Sequence, residues 1–372
     1  MMEVGHFASL AESVMAVESW RMGGTEEGAV VEFLGTLRME SEAAFDWLEA
    51  ALRPQGFLPL LRRTEREGVV RLIIVPYRPA ARPARPWINA LLFFLTLLSV
   101  LFVGALGEGA DPSREGLAAL KAGLPFALTL LGILSAHEFS HYFVGKRYGS
   151  PVSLPYFIPM PFSIFGTMGA VIVQREPMRN RKALFDIGIA GPLGGFLLAL
   201  PLLVVGLLRS PVEPLPLAEP YYLEGNSLLY YALKWLIFGR PLPSGGMDVF
   251  LHPIAFAAWA ALLVTALNLF PVGQLDGGHI TYAMWGERAE RIGRLFLHAT
   301  LAWGVILLLL RNDAAWTWII WWFLGHFILG PRHPAPLDDV TPLDPHRRLL
   351  GWLAVVLFVL IFVPLPLQLV VP

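Results

Sequence analysis

AGLPFALTLLGILSAHEFSHYFVGKR, residues 122–147, sets the character of the chain. It is long enough to cross a bilayer as a helix, which takes about 20 apolar residues. Yet it carries His137, Glu138 and His141 in its second half. Ionisable groups at such depth cost roughly 2.5–3.5 kcal/mol each on insertion scales for Asp, Lys or Arg, and where they occur they mark a site. Residues four apart share a helix face, so both imidazoles can reach one zinc ion. Glu138 projects to the side, where it can take a proton from a water at that metal, the arrangement of metalloproteases. Three polar residues that merely join helices are the competing account, and their spacing disfavours it.

The remaining composition agrees with lipid as the main solvent. Of 372 residues 55% are hydrophobic and only 15% charged, with mean hydropathy +0.58, against about 25% charged in a soluble domain. The net charge of −1 gives no reason to expect nucleic acid as a partner. There is no cysteine, which excludes disulfides, thiolate zinc sites and cysteine catalysis, so any metal must be held by His and carboxylate. The opening MMEVGHFASLAES has acidic residues and no long apolar core, and is not expected to act as a cleaved signal peptide.

Apolar stretches of spanning length recur at 87–106, 122–147, 183–208, 252–272, 292–311, 314–330 and 348–366. The expected fold is therefore an all-α polytopic membrane protein of about seven transmembrane helices. Lysine and arginine at the span ends put the N-terminus in the cytoplasm and the C-terminus outside, with the cell membrane as the expected location. Residues 1–86 read differently, as a small cytoplasmic α/β domain ahead of a membrane domain at 87–372. A strand-like run at 29–38, a helix-like run at 41–56 and a hairpin-like run at 57–77 support this. PYRPAARPARP (76–86) is expected to be a stiff, basic tether.

One apolar segment should not be a helix. SPVSLPYFIPMPFSIFGTMGAVIVQ (150–174) carries no charge but holds Pro151, Pro155, Pro159 and Pro161. Proline so dense breaks helices, and irregular backbone at membrane depth survives only where protein or a wet cavity covers it. A re-entrant, partly extended, β-like element beside the site is expected. A plain cytoplasmic surface loop is the alternative.

A third metal ligand is available from NLFPVGQLDGGH, residues 268–279, where Pro and Gly interrupt a span just before Asp276. At 1.5 Å per residue His137 lies roughly 20 Å below the outer end of its span and Asn268 roughly 24 Å below its own. Both reach the same cytoplasmic-side third of the bilayer.

HEFSH in one span and NLFPVGQLDGG in a later one resemble the paired signatures of site-2 proteases, the intramembrane zinc metalloproteases. FGTMGAVIVQREPMRNRKALFDIGIAGPLGG resembles the branch that includes the plant plastid gravitropism-deficient, yellow-green proteins and their bacterial relatives. The resemblance implies that His137, His141 and Asp276 bind one Zn2+ and that Glu138 is the catalytic base. It also implies that Asn268 orients or stabilises the reacting carbonyl. The implied partners are a membrane-protein substrate, in the simplest case single-span, and the lipid bilayer. The loop at 209–250 is too short for the PDZ-like domain of better-known bacterial members. His279 is expected to make a structural hydrogen bond, Gly191, Gly194 and Gly195 to allow close helix packing, and His326 and His333 receive no role. A membrane zinc carrier, or an idle relative that only binds membrane proteins, are the other readings.

Overall fold

The computed structural model describes residues 4–23, 31–77, 85–216 and 220–370. It is mostly helical, with a small α/β region at the N-terminus. There, α1 (Val4–Val14), β1 (Met15–Met22), β2 (Val31–Leu37), α2 (Ser41–Leu52), β3 (Phe57–Arg63) and β4 (Val69–Pro76) follow in order. The strands form one antiparallel sheet in the order β1-β2-β4-β3. Phe7 of α1 and Phe45 and Leu48 of α2 bury against Phe33, Leu61 and Leu72 of the sheet. The strand, helix and hairpin expected from sequence are all there. Residues 29–30 and most of the proposed tether, 78–84, lie outside the described residues.

The helical part begins with α3 (Pro86–Gly107), a single turn α4 (Pro112–Glu115) and α5 (Leu124–Arg147). A hairpin of β5 (Tyr156–Pro159) and β6 (Thr167–Val171) precedes α6 (Arg181–Leu208). Next come β7 (Val212–Pro214), β8 (Tyr221–Glu224), α7 (Leu228–Phe238), β9 (Met247–Val249), α8 (Pro253–Asn268), α9 (Asp276–Trp285) and α10 (Arg288–Leu309). The chain ends with α11 (Ala315–Phe323), a π-helical turn at Leu324–Leu329, α12 (Pro345–Ile361) and β10 (Leu367–Val370). Among the described residues, four helices are long and apolar enough to cross a membrane: α3, α5 with its 3-10 lead-in, α6 and α10.

Three expected spans resolve into shorter helices. At 252–272 the helix is the 16-residue α8, because Pro271 cannot continue it. At 314–330 nine α-helical residues run into six π-helical ones, and α12 has 17 residues. The segment at 209–250, read as a loop, folds into α7 and three short strands. β7 pairs with β9, and β8 pairs with the distant β10.

Helix starts follow local chemistry. The Asn180 side chain caps α6 by accepting from the Ala183 N–H, and Asp344 caps α12 by accepting from the Arg347 N–H with Pro345 in the first turn. At the centre, α8 is buried through Ala255, Ala257, Ala258, Ala260 and Ala261, small residues that let α5 and α6 approach closely. The β8–β10 pair places the ends of α6 and α12 at one end of the bundle. Asp338 bridges to both Leu61 and Asn180, so the starts of α6 and α12 share the other end with the N-terminal sheet. Leu337 enters the core of that sheet, a burial contributing about 2 kcal/mol. The Leu61 N–H donates to the Leu337 carbonyl, and the Asp339 N–H to the Leu61 carbonyl.

Candidate metal centre

α5 presents His137 and His141 on one face, 4% and 5% exposed. The Nδ1–H of His141 donates to the Ile187 carbonyl of α6 at 2.6 Å. That bond selects the tautomer whose Nε2 carries the lone pair, on the side of the ring that meets His137 and Asp276. Pro192 lies in the next turn of α6 and offers no N–H to Gly188. Gly195, farther along the same helix, leaves room for the His137 ring, 3.2 Å from where a methyl carbon would sit.

The third donor comes from the break between α8 and α9. Pro271 ends the first helix. Gly273 then takes φ +52°, a conformation that favours glycine, and a methyl there would stand 2.5 Å from the Gly330 carbonyl oxygen. The turn delivers Asp276 as the first residue of α9. Its Oδ2 lies 3.1 Å from His137 Nε2 and its Oδ1 3.2 Å from His141 Nε2, while the two Nε2 atoms are 3.2 Å apart. Ligands held at 2.0–2.1 Å by tetrahedral zinc stand about 3.3 Å from one another. The donor types and separations in this structure therefore fit one zinc ion.

The other residues expected at the site gather around these three. Glu138, 5% exposed, borders a cleft of about 590 Å³ shared with His137, His141, Asp276 and Asn268. Asn268 Nδ2 is 3.5 Å from His137 Nε2. The extended segment after β6 forms a wall of the cleft. Ser153 takes up Val173 on both sides, with Val173 N–H donating to Ser153 Oγ and Ser153 N–H donating to the Val173 carbonyl. Arg175 N–H donates to the Pro151 carbonyl. By the alternation of an extended chain, the backbone groups of Ile172 and Gln174 turn the other way, and that of Ile172 meets the Glu138 carboxyl.

The profile of peptidase family M50 matches residues 125–311, half of the chain, and that match contains all five of these residues. The chain belongs to peptidase family M50. It is 30% identical over 352 residues to "Probable zinc metalloprotease EGY2, chloroplastic" of Arabidopsis thaliana, covering 91% of this chain and 61% of that protein. The EGY2 protein of Oryza sativa subsp. japonica is 31% identical over 353 residues, with coverage of 91% and 62%. "Probable zinc metalloprotease EGY1, chloroplastic" of Arabidopsis thaliana is 32% identical over 250 residues, with coverage of 65% and 43%. The chain thus spans about three fifths of the length of the EGY2 relatives it matches.

Two residues of this M50 chain lie at the site without a motif to announce them. His333, given no role from sequence, approaches His279 with Nε2 2.6 Å from its Nδ1 and stacks on Tyr282. Both histidines line the cleft. Gln174 lines it too, as an ordinary residue closing an apolar run. His326 packs on Trp322 instead. Beyond the cleft, Arg347 of α12 holds Asp186 of α6 at 2.6 Å and reaches Tyr148 at the end of α5. Burial and the neighbouring Asp186 push the Tyr148 phenol up to about 12, so it stays a proton donor in this clamp.

Proposed function

We propose that this M50 chain is an intramembrane zinc endopeptidase that hydrolyses peptide bonds within or near the transmembrane segments of membrane-protein substrates. One observation carries the reading: two imidazoles of a membrane-length helix and a carboxylate from a broken one converge at ligand spacing. In this proposal His137, His141 and Asp276 hold the zinc and Glu138 is the general base. When bound, zinc supplies Lewis-acid polarisation of a carbonyl and makes water acidic enough to attack near neutral pH.

The protein's own groups do the rest. His141 is held in register by Ile187. Glu138, at the cleft wall, takes the proton of the attacking water and returns it to the leaving amine. The Asn268 carboxamide, beside His137 Nε2, donates to the reacting carbonyl oxygen. Hydrolysis needs water, and the cleft runs from His137 to Arg175, Glu176 and His333 at the end of the bundle that carries the N-terminal sheet. That end is the cytoplasmic one in this proposal, with the site toward it. The order of helix ends supports seven crossings: α3, α5, α6, α8 with α9, α10, α11 with its π turn, and α12. A substrate helix must unwind to expose its peptide bonds, and the free edge after β6 offers it a strand to pair with.

A carrier would want several exchangeable sites along a path. Among the described residues, His137, His141 and Asp276 form the single metal-competent group. The test is incubation of the purified full chain with a single-span substrate. Wild type should cleave, while Glu138→Gln and chelator-treated protein should fall by at least about 10²-fold. Cleavage that persists in the glutamine variant rejects the base assignment.

A further inference from the structure

Gln174 closes the extended segment at the metal centre. Its backbone is fixed opposite Val152 and between the bonds of Val173 to Ser153 and Arg175 to Pro151. Its side-chain Nε2 and Oε1 are both shut off from solvent, and both lack a hydrogen-bond partner. No other carboxamide among the described residues has both atoms in that condition. Buried polar atoms are overwhelmingly paired, and leaving an amide desolvated and unpaired is costly. Gln174 borders the cleft that holds His137, Glu138 and Asn268, so turning its side chain out into that cleft would give the amide a partner there.

We propose that the Gln174 carboxamide binds the main chain of an extended polypeptide lying along the Ile172–Gln174 edge, taking the N–H and C=O of a single substrate residue. The proposal rests on the peptidase reading of the site. A carboxamide carries one acceptor oxygen and two N–H donors, the complement of what one residue of an extended chain presents along a strand edge. In a helix the same groups are consumed by bonds to residues four away. The contact therefore selects unwound over helical backbone and is blind to side-chain identity. A neutral amide is poorly matched to a phosphate headgroup or to a metal ion, which leaves a peptide group as the fitting partner. Gln174 lies two residues beyond Ile172, whose backbone meets Glu138, or about 7 Å along an extended chain. The residue it holds is thus about two positions from the bond being cut.

The experiment uses the full chain in detergent micelles and a single-span substrate. In a series of semisynthetic substrates, one backbone N–H at a time near the cleavage site is replaced by an ester oxygen. Affinity is measured in the Glu138→Gln background, and kcat and KM in the wild-type background. Gln174→Ala is expected to raise KM and weaken binding about tenfold, the size of one or two neutral hydrogen bonds, with zinc content unchanged. Gln174→Glu keeps the size but loses the N–H donor, and should weaken binding as well. One ester position should weaken binding to Gln174 protein by a similar factor and leave binding to Gln174→Ala untouched. Unchanged affinity in Gln174→Ala, lost zinc in that variant, or an ester penalty equal in both proteins at every position overturns the proposal. Failure of the wild-type chain to cleave anything would sink the peptidase reading, while the binding arm would still decide the role of Gln174.

Discussion

Gly191 of α6 faces the His141 ring so closely that a methyl carbon on it would stand 2.0 Å from Nε2, the nitrogen turned toward the metal centre. Alanine is the better helix former by about 1 kcal/mol, so on propensity Gly191→Ala should stabilise α6. Contact at that distance cannot be met by a flexible chain end; the imidazole or the helix must move. We expect Gly191→Ala to lose zinc and at least about 10²-fold in activity, with overpacking costing about 1–3 kcal/mol of stability. Metal content and activity measured side by side check this, and full zinc occupancy in the alanine variant contradicts it.

Metal removal tests the ligand set. An ion bound only by the folded chain raises its stability by mass action, about 4 kcal/mol at a thousandfold excess over Kd. Chelation should lower the Tm of the wild type. Asp276→Asn removes the carboxylate charge that both histidines face, one at each oxygen, and should bind no stoichiometric zinc and give the same Tm with or without chelator. A chelator shift that survives in Asp276→Asn places the ion elsewhere.

What could be read in advance was whatever is written at short range. His137, Glu138 and His141 share one helix, and the i, i+4 spacing of the histidines declares a common face. Pro271, Gly273 and Asp276 announce a break followed by a carboxylate. The four long apolar helices were equally plain, because each is continuous. Elements defined by distant partners were not. β8 is a strand because β10 lies beside it, nearly 150 residues later in the chain, and nothing local in Tyr221–Glu224 says so. His333 looks like any loop histidine until tertiary folding brings it to His279. Gln174 differs from other glutamines only in what fails to surround it.

The edge that would receive substrate can be tested at one backbone position. Residue 173 is a poor site for proline, since its N–H is committed to Ser153 Oγ at 2.8 Å and proline there would break the anchor of the segment itself. Val171 pairs with Tyr156 inside the hairpin. Ile172 is the residue whose backbone meets the cleft. Proline removes the N–H from a strand edge, and at 172 also the backbone contact to Glu138, so Ile172→Pro should slow cleavage about tenfold or more while zinc content holds. Wild-type cleavage by that variant would dismiss strand addition at this edge.

The N-terminal sheet is joined to the site through the start of α6. Glu42 of α2 accepts from Lys182 Nζ at 2.6 Å and from Asn180 Nδ2 at 3.2 Å, and Asn180 is the residue that caps α6. The Lys182 hydrogen bond, opposed by partial burial and helped by the charge of Lys182, holds the Glu42 carboxyl below its ordinary value of 4.5. For a depressed carboxylate the folded state binds fewer protons than the free chain, so stability rises with pH through that range. The contact is at full strength above pH 4.5 and weakens as pH falls below it toward the folded value. Hydrogen exchange at residues 181–184, corrected for its intrinsic pH dependence, should show protection falling in that acidic window. Glu42→Gln keeps the size but has no carboxylate to protonate, and should give weaker protection that does not vary with pH there. Since α6 carries Ile187 and Gly191 against His141, loss of protection at its first turn should be accompanied by looser zinc retention. Protection that is flat in the wild type, or that grows as pH drops, would show that Glu42 does not tie the sheet to the metal centre.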